Sequence, residues 1–76
     1  MKIRFNQTVY MPQEDLIWLF MKNATYDMCF DVAEAFIDTG YATRIMMPDR
    51  YYNYMGYSQL MKPTVMQLLG QSEAVA

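Results

Sequence analysis

Four carboxylates carry the most definite chemistry in this 76-residue chain. Asp27, Asp31, Glu34 and Asp38 recur at intervals of four, three and four residues, the spacing that stacks side chains along one edge of an α-helix. Stepping about 100° per residue over residues 25–40 collects Tyr26, Met28, Cys29, Phe30, Val32, Ala33, Phe36 and Ile37 on the opposite arc. A helix is therefore predicted there, with Thr25 as its N-cap and Gly40 as the left-handed residue that ends it. No lysine or arginine lies within residues 26–39. Each close like-charged pair costs about 0.2–0.5 kcal/mol, and Glu34 and Asp38 sit toward the end where the helix dipole disfavours anions. Such a ridge is either a solvated face tolerated at that cost or a surface that meets cations on another molecule.

The remaining inventory argues against catalysis. The chain has no histidine and one cysteine, which removes Cys/His zinc sites and Cys–His or Ser–His nucleophiles. Cys29 falls on the apolar arc and reads as core. A metal site would need further ligands, and neither an Asp-x-Asp-x-Asp-Gly loop nor a Glu-x-x-His pair occurs. General acid–base work needs two carboxylates held across a cleft in different environments, whereas these four share one edge. With no glycine-rich phosphate loop either, the sequence reads as non-enzymatic, without cofactor or metal.

A second cluster lies in residues 49–57, where Tyr51, Tyr52, Tyr54 and Tyr57 accompany Arg50, Asn53 and Gly56. Tyrosine gives large contact area at low entropic cost, so the segment reads either as a binding loop or as a short turn whose rings cap the core. Stacking on single-stranded bases calls for a basic groove, and Arg50 is the one cation nearby, which favours a protein contact. Trp18 is a further candidate. On a helical wheel it falls beside Asp15 and Lys22, as an exposed anchor or as a ring packed under a neighbouring loop.

The elements that would position these residues follow from periodicity. Residues 2–10 alternate as a strand, with Ile3, Phe5 and Val9 on one face. Pro12, followed by Glu14 and Asp15, suits the first turn of a helix over 12–22, whose six consecutive apolar residues are far too few to span a bilayer. A short connection at Asn23 and Ala24 leads into the acidic helix. Residues 41–47 read as a second strand, with Tyr41, Thr43, Ile45 and Met47 on one side and Pro48 closing it, paired with the first strand in either direction. Residues 62–70 carry proline near the start and glycine at the end of a short helix, docked through Val65, Met66, Leu68 and Leu69. The expectation is an α+β domain over residues 1–70, with a small two-stranded sheet and about three helices in the order β-α-α-β-α, and a frayed tail over 71–76.

Composition bounds the partner. Hydrophobic residues make up 54% and charged residues 18% of the chain, at or above the apolar end for globular proteins. Nine methionines, seven tyrosines, four phenylalanines and a tryptophan exceed what a domain of this size can enclose. Some of them should face a second copy, as a homodimer, or a partner protein. The net charge of −2 supplies no attraction to nucleic acid or to an anionic membrane. Residues 1–11 lack the apolar run of a signal peptide, so the expected compartment is a reducing cytoplasm.

Together these features suggest an acidic interaction module, an inhibitor or regulator that occludes a basic, nucleic-acid-binding surface of a larger protein. It would use Asp27, Asp31, Glu34 and Asp38 with Trp18, Tyr51, Tyr52, Tyr54 and Tyr57. In size and character the chain resembles the small inhibitors that phages and mobile elements use, such as anti-CRISPR and anti-restriction proteins. A second resemblance is local. The stretch Thr8-Val9-Tyr10-Met11-Pro12-Gln13-Glu14-Asp15-Leu16, with two helices expected after it, resembles the opening of ribbon-helix-helix repressors, in which paired strands of a dimer enter the DNA major groove. That resemblance implies base-reading roles for Asn6, Thr8 and Tyr10.

Overall fold

In the computed structural model, residues 1–46, 50–56, 59–70 and 74–75 are described. The alternation of the first residues holds, but the chain turns at Asn6-Gln7. It forms β1 (Lys2–Phe5) and β2 (Thr8–Gln13), with Ile3, Phe5, Val9 and Met11 all buried. There follow β3 (Leu16–Phe20), β4 (Thr25–Asp27), α1 (Phe30–Asp38), β5 (Ala42–Arg44), β6 (Asn53–Tyr54), α2 (Lys62–Leu69) and β7 (Ala74–Val75). One sheet has four strands in the order β5-β1-β4-β6 and is mixed: β1 is antiparallel to β4 and β5, while β4 and β6 are parallel. The other is built on the antiparallel β2–β3 hairpin, and β7 adds to β2 along Thr8–Val9.

The α+β class stands, but a two-stranded sheet with three helices does not: the described residues form two sheets and two helices. The largest correction is residues 12–22, which form a hairpin arm rather than a helix. A run of six apolar residues is poorly served by one helical stripe, whereas a strand sends alternate residues to opposite faces. Trp18 and Phe20 point inward opposite Met11 and Val9, while Ile17 and Leu19 lie on the outer face opposite Pro12 and Tyr10. Pro12 pairs with Ile17. Counted from the two-residue loop at Glu14-Asp15, that is a non-hydrogen-bonded position, so its missing N–H removes no bond between the two strands.

The acidic helix is also shorter than expected. Thr25 is not an N-cap but a buried residue of β4, because β1 offers an edge on which Thr25, Tyr26 and Asp27 pair with Arg4, Ile3 and Lys2. The helix starts at Phe30 with Cys29 as N-cap. Its end is as predicted: Gly40 has φ +84°, and the N–H groups of Gly40 and Tyr41 bond to Ile37 O and Phe36 O, the paired contacts of a Schellman motif. Residues 41–47 yield only Ala42–Arg44, antiparallel to β1, with Ala42 buried opposite Phe5; Met47 and Pro48 lie outside the described residues. In α2, Val65 and Leu69 are buried and Leu68 is half-buried, whereas Met66 is exposed.

The core is centred on four rings from four elements. Phe5 of β1 stacks on Phe20 of β3 at 4.8 Å between centroids, and Phe36 of α1 meets both edge-on at 5.0 and 5.2 Å. Tyr26 of β4 does the same at 5.4 and 5.2 Å, and its hydroxyl accepts a hydrogen bond from the Met21 N–H at 2.9 Å.

The hairpin loop contains a local cost. Glu14 holds φ +46°, a conformation that disfavours residues with a Cβ. Glu14→Gly should therefore stabilise the chain by about 0.5–1 kcal/mol, raising Tm by about 2–8 °C. Thermal unfolding followed by circular dichroism checks this, and an unchanged or lower Tm contradicts the loop geometry.

Candidate functional site

The four carboxylates do not form one ridge. Asp27 belongs to β4, and its Oδ1 lies 3.2 Å from the amino terminus of Met1, which also donates to Met28 O at 2.8 Å. Asp31, Glu34 and Asp38 do share an edge of α1. Asp31 and Asp38 are exposed there, while Glu34 is half-buried and accepts a hydrogen bond from Lys62 Nζ at 3.0 Å. The cation missing from residues 26–39 thus comes from the first residue of α2, which packs on α1. A lysine there lies at the positive end of its own helix dipole, a sign in the sequence that its charge is needed elsewhere. The hydrogen bond to Glu34 raises the Lys62 pKa above its ordinary value. Burial opposes that shift, and the charges of Glu34, Asp38 and Asp31 add to it.

The described tyrosines of residues 49–57 do not cap the core. Tyr51 and Tyr54 are 83% and 76% exposed, and Tyr52 is also exposed, with Lys2 Nζ 4.0 Å from its ring centroid; Tyr57 lies outside the described residues. Tyr54 lies in β6, with Tyr51 and Tyr52 just before it, and β4 holds β6 through the Tyr26–Asn53 and Asp27–Tyr54 pairs, the Asn53 amide donating to Thr25 O at 3.1 Å, and the Met55 N–H donating to Asp27 O at 3.0 Å. Cys29 is exposed rather than core, because the helix begins only after it; its thiol faces Gly56 O at 3.6 Å. One shallow cleft of about 220 Å³ is lined by Asp27, Met28, Cys29, Tyr54 and Gly56. A second, also about 220 Å³, is lined by Cys29, Asp31, Val32, Leu60, Met61, Lys62 and Pro63. They meet at Cys29, so Tyr54, Asp31 and Lys62 belong to one continuous surface.

Trp18 is not part of it. Its ring is half-buried on the inner face of β3, stacked on Phe20 at 6.3 Å, with the indole N–H donating to Gln13 Oε1 at 3.0 Å. The three candidate base-reading residues are also placed otherwise than the repressor resemblance implies. Asn6 donates to Gly40 O at 3.3 Å and accepts from Thr43 Oγ1 at 3.3 Å, Thr8 Oγ1 accepts the Lys22 N–H at 3.1 Å, and Tyr10 is exposed. Of the two helices expected after Pro12, the first is replaced by β3, and the second begins only at Phe30, after β4. Among the described residues, no three of the Cys, Asp and Glu side chains gather as a metal site, and no helix is long and apolar enough to cross a membrane. Sequence reasoning missed two features: Lys62, and an exposed apolar face on the hairpin.

No family model, curated protein or solved structure matches the chain significantly.

The Lys62–Glu34 pair makes a pH-dependent prediction. A lysine whose folded pKa is raised contributes stability that is fully present below its unfolded pKa and is lost as pH rises through the folded value. Lys62→Gln should therefore lower Tm at neutral pH and low salt, and the gap to the parent chain should narrow at strongly alkaline pH and in high salt. Thermal melts over both series check this; a gap that ignores pH and salt contradicts it.

Proposed function

We propose that this chain is a small protein–protein interaction module, an inhibitor or regulator of the phage or mobile-element type. In a reducing cytoplasm it occludes a basic, nucleic-acid-binding surface of a larger protein. The observation that supports this reading is the continuous surface running from Tyr54 past Cys29 to Asp31. It joins exposed tyrosine, a residue type enriched at binding hot spots, to exposed carboxylates that attract and orient a cationic partner. Glu34 and Asp27 are engaged within the fold, so Asp31 and Asp38 carry the outward charge.

Binding a macromolecule also suits the clefts better than catalysis does. At about 220 Å³ each, they fall below the roughly 300–1,000 Å³ of small-molecule sites. A DNA-binding repressor is the weaker reading, since Asn6 and Thr8 already hold local hydrogen bonds and the net charge opposes phosphate contacts.

Affinity capture from the natural host at low and high salt tests the proposal. The expected result is one partner with a basic nucleic-acid-binding surface, released by high salt. Asp31→Lys combined with Asp38→Lys should weaken its binding by at least about 10-fold, with circular dichroism unchanged. Full binding by a folded double variant, or a shift of duplex DNA by the parent chain at moderate salt, overturns the reading.

A further inference from the structure

Apart from Thr8 on the outer face and Gln13 on the inner, the β2–β3 hairpin is apolar on both faces. Its inner face lies in the core; its outer face carries Tyr10, Pro12, Ile17 and Leu19, with Met21 next in the same alternation. Ile17, Leu19 and Met21 are 64%, 53% and 50% exposed. Antiparallel sheets that face water alternate apolar with polar residues, whereas strands apolar on both sides are those covered on both sides. β3 is also the outermost strand of its sheet, and within Leu16–Phe20 it has no lysine or proline of the kind that protects a sheet edge.

We infer that a second copy of this chain covers this face, the two hairpins packing outer face to outer face about a two-fold axis. Two observations select a second copy. The first is charge: a two-fold interface sets a patch against itself, so a charged patch would meet its own sign. Among the described residues, this face has no charged side chain, although the chain carries fourteen, six basic and eight acidic. The second is area. Taking roughly 200 Å² as the full exposure of a large side chain, the five residues expose on the order of 500 Å². Two such faces bury about 1,000 Å², the lower bound of a specific interface. Sheets pack face to face about 10 Å apart, a spacing these side chains fill. The dimer leaves the Tyr54–Asp31 surface on other elements and does not depend on the function proposed for it.

Analytical ultracentrifugation across a concentration series tests the inference. The parent chain should pass from monomer to dimer with a dissociation constant on the order of micromolar. Ile17→Lys with Leu19→Lys should weaken the dimer by at least about 100-fold. Ile17→Thr with Leu19→Thr, which keeps strand-forming residues, should do so too and decides the matter if the lysine variant unfolds. Asp31→Lys with Asp38→Lys should leave the dimer intact. A parent chain that stays monomeric, a folded threonine variant that dimerises like the parent, or a monomer that sediments with phosphatidylcholine vesicles overturns it.

Discussion

The packing of Phe5, Phe20, Tyr26 and Phe36 is the constraint on which the rest of the molecule depends. Each ring comes from a different element, and the two sheets share no strand. The stacked Phe5–Phe20 pair ties β1 of one sheet to β3 of the other, and Phe36 lays α1 across both. Burying a phenylalanine contributes about 1.5–3 kcal/mol, and a well-placed aromatic pair adds about 0.5–1.5 kcal/mol. In a chain this short, with no disulfide, few other interactions are as large.

That cluster also fixes what faces outward. Setting Phe20 inward on β3 forces Ile17 and Leu19 to the other side, because neighbours on a strand alternate. Setting Val32 and Phe36 inward on α1 leaves Asp31 and Asp38 at the surface. Tyr26 inward on β4 brings that strand beside β1, where its other edge receives β6 and holds Tyr54 beside Asp27. The two candidate surfaces therefore follow from one interior: a greasy one on the hairpin, and an acidic, tyrosine-bearing one on α1 and β6.

Much of this was readable where the determinants are local. The alternation of Ile3, Phe5 and Val9, the Gly40 terminus of α1, the proline and glycine that bracket α2, and the edge shared by Asp31, Glu34 and Asp38 are patterns over a few residues. The failures are non-local. Pro12-Gln13-Glu14-Asp15 looks like a helix start, and Glu14 at positive φ lacks the glycine or asparagine that usually marks such a loop. Thr25-Tyr26 fits the helical phase of Met28 and Val32, and becomes a strand only because β1 supplies an edge. Lys62 reaches Glu34 from 28 residues away, and Met1 reaches Asp27 through its terminal amine. Tertiary pairing overrides local preference at these sites.

A double-mutant cycle on Phe5→Leu and Phe20→Leu, measured by denaturant unfolding, tests the central packing claim most directly. Direct contact between the rings predicts a coupling energy of about 0.5–1.5 kcal/mol. Stabilities that add to within about 0.3 kcal/mol would mean that the two sheets are not joined through these rings.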